Sequence, residues 1–407
     1  MKMEYLFKIA LGLQDPWLVE RAELLNHQGT RQLHLHIGHK PGAKFFYEGE
    51  LYAVYDHQER TWRHLNFFEH ECYLHARVPR VRTRSGQVLL VNVPWASPGS
   101  SFTLLFEAYA ALLVKGGMPC TNAGDYMGVS GKSIWTILRR MVSTALSEQP
   151  LEDVSHMGID ETSSRKGHNY LTVLTDIKER KVVGVGQGKD QDALNDALTD
   201  LEMRGANPEN VELITMDMST SYIAGVSHCM PDAEIVFDRF HLEQGMSKVL
   251  DEVRKEEAKK YKELKKSKYL WLKNEARLSQ AQHSRLSILE NSYPTLGKVY
   301  RLKEQFKEVL NDAYFTSRLK GINQWMNMAW KSGIDQVQRF VNMLAEHWYG
   351  IKTYFEYCVT NGFAERVNLK IQEIKRIARG YRNPYNFILM IYFHLGKLDL
   401  NLPTKYG

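Results

Sequence analysis

The chain has 407 residues, a net charge of +6 at pH 7, 43% apolar residues and 25% charged residues. This composition excludes a disordered or collagen-like chain, and the length allows two or three domains. The charge is compatible with an acidic partner such as nucleic acid without requiring one. The four cysteines are scattered without a C-x-x-C pair, which favours a reducing cytoplasm over a disulfide scaffold. No signal peptide or bilayer-spanning stretch is evident, so no membrane partner is expected.

Residues 1–95 show apolar and polar residues in alternation, which predicts a small β-rich module. The clearest strands are Gln32–His36, Glu50–Tyr55 and Tyr73–Val78, and a Pro- and Ser-rich linker follows at Pro94–Ser101. The module is rich in irregularly spaced histidines: His34, His36, His39, His57, His64, His70 and His75. They are either metal ligands or ordinary exposed and core side chains.

Residues 96–150 carry helical periodicity and predict a helix-turn-helix DNA-binding domain. The predicted helices are Phe102–Lys115, Thr121–Gly128 and Ser130–Leu146. Thr121 and Ser130 are expected to be N-caps, and Gly128 lies in the tight turn. The third helix would contact DNA through polar and basic residues: Lys132, Ser133, Arg139 and Arg140. The alternative is a three-helix bundle without a DNA-binding role.

The region that follows alternates strands with helices and predicts a mixed five-stranded α/β sheet. The predicted strands are His156–Glu161, Asn169–Thr175, Lys181–Gly186, Val211–Met216 and Ala233–Phe237, with a helix at Asp190–Met203. Asp160 lies on the first strand, Asp217 follows the fourth and Asp238 follows the fifth. In a sheet ordered three-two-one-four-five, the first and fourth strands are neighbours. Asp160 and Asp217 would then lie close together.

Two or three such carboxylates can hold two Mg²⁺ ions, or Mn²⁺ as an alternative, about 4 Å apart on a phosphodiester. Hard oxygen ligands suit these ions, which keep waters and bind substrate phosphate. The competing explanation is structural, because an aspartate at a strand end often caps the next helix. Asp217 before Ser219 and Asp238 before His241 are both placed to do this.

The second half is helical from about His241, and a third carboxylate is predicted late in it. The helices are predicted at Leu278–Leu289, Tyr293–Ala313, Ala313–Gly333 and Asp335–Phe355, and from Gly362 to about Arg379. The Lys-rich run Lys255–Lys273 is either a solvated face or a phosphate-tracking surface. In the last helix Glu365, Asn368, Leu369 and Gln372 share one predicted face. Glu365 is the candidate third ligand, or else a surface glutamate favoured near a helix N-terminus.

Seven segments, taken in order along the chain, carry a resemblance to a known family. They are Trp62–Leu65, Arg77–Arg82, Val93–Ala96, Gly158–Thr162, Thr215–Ser219, Asp238–His241 and Ile374–Asn383. On these residues the sequence resembles the ISL3 family of insertion-sequence transposases. The resemblance implies a ribonuclease-H-like α/β catalytic core with an Asp-Asp-Glu triad that falls on Asp160, Asp217 and Glu365.

The resemblance also implies roles for the remaining segments. The core would comprise 151–245 and 355–407, separated by an all-helical insertion at 246–354. Asp238, His241 and Asn368 would support the metal ligands or contact DNA. Further DNA contacts are expected from basic residues late in the chain: Lys375, Arg376 and Arg379.

The chain departs from the family in its N-terminal module. Relatives usually carry a zinc-binding region with a C-x-x-C pair before the segment that matches Trp62–Leu65. Here Phe45–Tyr52 has no cysteine, and Thr83 stands where another is expected. A tetrahedral zinc site needs four suitable ligands, which this sequence does not offer in order. Either the module folds on its aromatic residues, or histidines substitute, or the copy has decayed.

The sequence therefore predicts a DNA transposase. It would bind double-stranded DNA at the element's terminal inverted repeats, cleave it with two divalent ions and join it to target DNA. Joining two ends implies a homodimer, and the enzyme would act in the bacterial cytoplasm at the nucleoid. One alternative is a ribonuclease-H-like nuclease that cuts without joining. Another is a DNA-binding protein derived from a transposase that has no catalytic activity.

Overall fold

The computed structural model describes residues 3–27, 29–165, 167, 169–273, 275–359 and 361–402. The chain divides into two compact units: the described residues of Met1–Ala145 with those of Asp399–Gly407, and Leu146–Leu398. The predicted division into four segments stays a prediction, and its last residues, 403–407, lie outside the described part. No helix within these described ranges is long and apolar enough to cross a membrane.

The first unit begins with a helix and a six-stranded sheet, as the alternating sequence predicts. Its elements are α1 (Met3–Ala10), β1 (Trp17–His27), β2 (Thr30–His39), β3 (Lys44–Tyr47), β4 (Glu50–Phe67), β5 (His70–Arg82) and β6 (Val88–Leu90). The strand order is β1-β2-β5-β4-β3, with β6 paired to β5. Trp95 packs edge-to-face on Trp17 at 5.0 Å and on Trp62 at 5.5 Å between ring centroids. All three rings are buried, so aromatic packing forms the centre of this module.

Three helices follow: α2 (Leu104–Lys115), α3 (Cys120–Met127) and α4 (Gly131–Ser147). The turn between the last two requires glycine, because Gly128 has φ of 71° and a Cβ on Gly124 would lie 2.7 Å from the Val129 carbonyl. The predicted cap of α4 is confirmed, since the Ser133 amide donates to Ser130 Oγ at 3.2 Å. The predicted Thr121 cap is wrong. The N-cap of α3 is Pro119, which makes no side-chain cap bond.

The second unit contains a five-stranded mixed sheet. Its elements are β7 (His156–Arg165), β8 (Asn169–Asp176), β9 (Lys181–Gln187), α5 (Gln191–Met203), β10 (Leu213–Met216), α6 (Thr220–Cys229) and β11 (Glu234–Phe237). The order β11-β10-β7-β8-β9 is the predicted three-two-one-four-five arrangement. Strands β7, β8 and β9 are antiparallel, whereas β10 runs parallel to both β7 and β11.

The rest of the chain is helical. The helices are α7 (Arg239–Lys260), α8 (Lys268–Leu272), α9 (Gln280–Ser292), α10 (Pro294–Asn311), α11 (Phe315–Trp330), α12 (Asp335–Glu346), α13 (Trp348–Tyr357), α14 (Gly362–Ile377) and α15 (Pro384–Leu395). The predicted single helix Asp335–Phe355 is wrong, because the structure ends α12 at Glu346 and starts α13 at Trp348. Helix α14 ends two residues before the predicted Arg379.

Candidate active site and DNA-binding surfaces

Strand register brings three aspartates into one row. Gly158 of β7 pairs with Thr215 of β10, and Thr215 pairs with Val236 of β11. Two residues further along each strand come Asp160, Asp217 and Asp238, here called the aspartate row. The register therefore places the three aspartates at neighbouring positions, with Asp160 within β7 and Asp217 and Asp238 directly after β10 and β11.

Electrostatic coupling supports this placement. The pKa of Asp160 is raised to about 6, chiefly by burial; the Glu161 amide and the nearby His241 oppose the rise, and the charges of Asp217 and Asp238 contribute to it. Burial also raises the pKa of Asp238, with Asp217 adding to the rise. The charge of Asp217 thus acts on both Asp160 and Asp238, and a cation close to these carboxylates would favour their ionised forms.

The two strand-end aspartates also organise local backbone, as the structural alternative expects. Asp217 Oδ1 accepts the Ser219 amide at 3.0 Å, and Asp238 Oδ1 accepts the Phe240 amide at 3.2 Å as N-cap of α7. Asp238 Oδ2, however, is buried and has no hydrogen-bond partner among the described residues. Nε2 of His241 is 4.0 Å from it. Capping therefore uses only one oxygen of Asp238.

Glu365 is an exposed residue in the first turn of α14. Burial raises its pKa, the charge of Asp238 raises it further, and His241 lowers it. Glu365 is thus coupled to Asp238 and His241, whereas Asp160 is coupled to Asp217, Asp238 and His241. As the side chains stand, no three His, Cys, Asp or Glu residues in the described ranges converge tightly enough to hold an ion.

Helix α14 is fixed to the free edge of β7. The pairing between β7 and β10 ends at Gly158, which leaves later carbonyls of β7 without a neighbouring strand on that side. Asn368 Nδ2 donates to Asp160 Oδ2 at 2.8 Å and to the Glu161 carbonyl at 3.1 Å. Gln372 Nε2 donates to Thr162 Oγ1 at 2.8 Å and to the carbonyl of residue 163 at 3.1 Å. These amides satisfy exposed carbonyls and orient the Asp160 carboxylate.

The predicted face of α14 is only partly right. Asn368 and Gln372 point to β7, but Leu369 is 72% exposed and takes no part in the site. Sequence reasoning missed Asn361, which is buried and accepts from Thr215 Oγ1 at 3.0 Å across 146 positions of sequence. Its position directly before a helix was the only available signal.

The helix-turn-helix residues divide into two groups. Lys132 and Arg139 are exposed on α4, and Ser133 is partly exposed near its N-terminus. Arg140 instead donates to Glu107, a carboxylate that is only 2% exposed, and to Ser100 Oγ at 3.3 Å. An ion pair with a buried acid gives Arg140 a structural role, so the ion pair does not favour its predicted contact with DNA.

We expect Arg139→Gln and Arg140→Gln to separate binding from stability. Arg139→Gln should weaken DNA binding and reduce the slope of log affinity against log salt by about one, at unchanged thermal stability. Arg140→Gln should destabilise the first unit by about 3 kcal/mol, because it leaves the Glu107 charge buried without its partner. Salt-dependent binding and denaturant unfolding measure the two effects. An unchanged salt slope for Arg139→Gln would remove that residue from the DNA interface.

The described residues of the N-terminal module contain no group of three His, Cys, Asp or Glu side chains that could hold a zinc ion. Residues 49–84 contain one cysteine, Cys72, which is buried. Burial raises the pKa of its thiol to about 12. Four of the histidines lie in two pairs. His34 Nδ1 lies 2.7 Å from His75 Nε2, and the Nε2 atoms of His39 and His57 are 3.0 Å apart.

We therefore expect zinc chelation to leave this unit folded. The aromatic core should keep the thermal midpoint within about 2 °C after dialysis against EDTA, whereas a structural zinc site contributes roughly 10 kcal/mol or more. Differential scanning calorimetry and metal analysis of the purified chain check this expectation. Stoichiometric zinc, together with unfolding on its removal, would contradict it.

Comparisons with known proteins identify the family of the chain. A family model described as a transposase of the ISL3 group matches residues 157–391. A model of the helix-turn-helix domain of the same family matches 91–142, and a zinc-finger model of the transposases IS204, IS1001, IS1096 and IS1165 matches 49–84.

Two curated relatives are similar over most of their length. The transposase for insertion sequence element IS1001 of Bordetella parapertussis is 27% identical over 402 residues, covering 94% of this chain and 96% of the relative. The transposase for insertion sequence element IS1557 of Mycobacterium tuberculosis is 23% identical over 379 residues, covering 86% and 84%. The transposase model alone spans more than half of the sequence, and so the chain belongs to the ISL3 family of insertion-sequence transposases.

Proposed function

We propose that this transposase cleaves phosphodiester bonds at the ends of its insertion sequence and joins the exposed 3′-hydroxyl to target DNA. The aspartate row carries the proposal, because the strand register places three carboxylate residues at neighbouring positions on adjacent strands. The sheet order and the helices between Asp217 and Glu365 support a ribonuclease-H-like core with a helical insertion. Asp160, Asp217 and Glu365 are the proposed catalytic triad.

The donor set suits a hard divalent cation, because carboxylate oxygens are the ligands that Mg²⁺ and Mn²⁺ prefer. Asp160 and Asp217 would hold it together with Glu365. When bound, two such ions lower the pKa of the attacking hydroxyl and neutralise charge on the leaving oxygen. The protein orients the ligands: Asn368 holds one oxygen of Asp160, and the Ser219 amide holds one of Asp217. His241 and Asp238 lie beside the set and would adjust its charge.

The DNA partners would be engaged by separate parts of the chain. Helix α4 presents Lys132 and Arg139 for the terminal inverted repeats, with the β-rich module beside it in the same unit. Target DNA would meet the aspartate row. Because the reaction joins two ends, the active species would be a homodimer that acts on chromosomal DNA in the bacterial cytoplasm.

The test is cleavage of labelled DNA that carries the element's inverted repeat, with Mg²⁺, with Mn²⁺ and with EDTA. Metal-dependent nicking at the repeat boundary, followed by strand transfer, is the expected result. Nicking without transfer or end preference would favour a simple nuclease. Specific binding with no cleavage, even when both ends are supplied, would favour a catalytically inactive DNA-binding protein.

A further inference from the structure

A groove of about 950 Å³ lies at the far end of β7 and α14 from Asp160 and Glu365. Basic side chains dominate its lining: Arg165, Lys375, Arg376, Arg379 and Arg382. Among the residues that the structure describes, no acidic side chain lines it. We call this feature the basic groove. It belongs entirely to the second unit of the chain.

Two of the five basic side chains are hydrogen-bonded to backbone carbonyls, and the other three are exposed. Arg165 donates to the Tyr381 carbonyl from Nε at 3.2 Å and from Nη2 at 3.0 Å. Lys375 Nζ donates to the carbonyl of residue 163 at 2.7 Å. Arg376, Arg379 and Arg382 are exposed, and within the described ranges no carboxylate forms a salt bridge with any of them. Three unpaired guanidinium groups on one concave surface fit a polyanion.

Arg379, which lines the basic groove, has a left-handed backbone conformation that is unfavourable for arginine. The Arg379 amide donates to the Arg376 carbonyl at 3.0 Å and the Gly380 amide to the Lys375 carbonyl at 2.9 Å, which is the Schellman ending of a helix. Arg379 occupies the left-handed position with φ of 54°, where glycine is usual. An arginine there costs roughly 1 kcal/mol relative to glycine. The Arg379 side chain lines the basic groove.

The distance from the carboxylates to the groove is the same along α14 as along β7. Eleven residues of helix separate Glu365 from Arg376, which is about 16 Å at 1.5 Å per residue. Five residues of strand separate Asp160 from Arg165, again about 16 Å. In duplex DNA this distance corresponds to about five base pairs at 3.4 Å each.

We propose that the basic groove binds the phosphate backbone of the same DNA duplex whose scissile bond lies at the aspartate row, about five base pairs from that bond. The proposal rests on the proposed function for the location of the scissile bond. Binding is measured without divalent metal, so that a failure to cleave does not affect the result.

The first test is the salt dependence of binding to an inverted-repeat duplex. Arg376→Gln with Arg382→Gln should reduce the slope of log affinity against log salt by about two. The matched control is Lys320→Gln with Lys331→Gln, two exposed cations elsewhere in the same unit that remove equal charge. An equal reduction for both pairs would overturn the proposal, because it would reflect net charge alone.

Arg379→Gly adds a test that separates binding from folding. Relief of the left-handed strain should keep or raise the thermal midpoint, while loss of the guanidinium should weaken DNA binding several-fold. Unchanged affinity in this well-folded variant would remove Arg379 from the surface.

A duplex with neutral methylphosphonates near the fifth base pair on either side of the scissile bond locates the contact. The modification should weaken binding by the parent chain and have little further effect on the Arg376→Gln, Arg382→Gln variant. Equal losses for parent and variant would show that the groove binds elsewhere on DNA, or not at all.

Discussion

Replacing Asp217 by asparagine is expected to reduce metal-dependent cleavage by about a thousandfold or more, since one ligand of the ions contributes several kcal/mol of transition-state stabilisation. DNA affinity should stay within about tenfold, because the carboxylate serves the metal and not the phosphate backbone. The fold should persist, since asparagine Oδ1 can still accept the Ser219 amide that Asp217 now accepts. Single-turnover cleavage and equilibrium binding on the same labelled duplex measure the two effects.

A matched control distinguishes ligand loss from a general change in charge. Asp196→Asn removes an exposed carboxylate on α5 and should leave cleavage unchanged. Thermal unfolding gives a readout that does not depend on activity. Millimolar Mg²⁺ should raise the midpoint of the parent and of Asp196→Asn, but raise that of Asp217→Asn much less. Cleavage by Asp217→Asn at the parent rate would exclude Asp217 from the site.

The sheet and its aspartates were predictable because the strands are short apolar runs bounded by polar and turn residues. Each of the five predicted strands lies within about two residues of its observed start, and Asp160 and Asp217 fall where expected. The adjacency of β7 and β10 follows from the sheet order alone. Local pattern was sufficient to locate the strands because apolar runs bounded by polar residues are a local signal.

The features that the sequence did not predict have no clear signal in the neighbouring residues. Helix α15 is apolar on most sides, so it lacks the periodic polar face that marks a surface helix. The break at His347 has neither Pro nor Gly beside it. In the sequence Arg140 resembles an exposed DNA contact, whereas in the structure it forms an ion pair with Glu107, 33 positions away. Asn361 likewise acts through a bond to a strand that is distant in sequence.

Glu365 and Asp238 are the two candidates for the third metal ligand, because neighbouring aspartate charges raise the pKa of both. We expect Glu365→Gln to lose cleavage by about a thousandfold, as for Asp217. Its thermal midpoint should be unchanged, since Glu365 is exposed. Asp238→Asn should reduce cleavage only about tenfold, because it changes the charge beside the ligands without removing one.

Asp238→Asn also has a pH signature that separates its structural and chemical effects. Asparagine is a good N-cap, so α7 should remain capped. Burial raises the pKa of Asp238, so the folded state binds its proton more tightly than the unfolded state. The parent therefore loses stability as pH rises through the unfolded and then the folded pKa, and asparagine removes this loss. The variant should gain stability relative to the parent at pH 8 but not at pH 3. If Asp238→Asn abolishes cleavage while Glu365→Gln retains it, the third ligand is Asp238, and the triad comes from β7 and from the residues that directly follow β10 and β11.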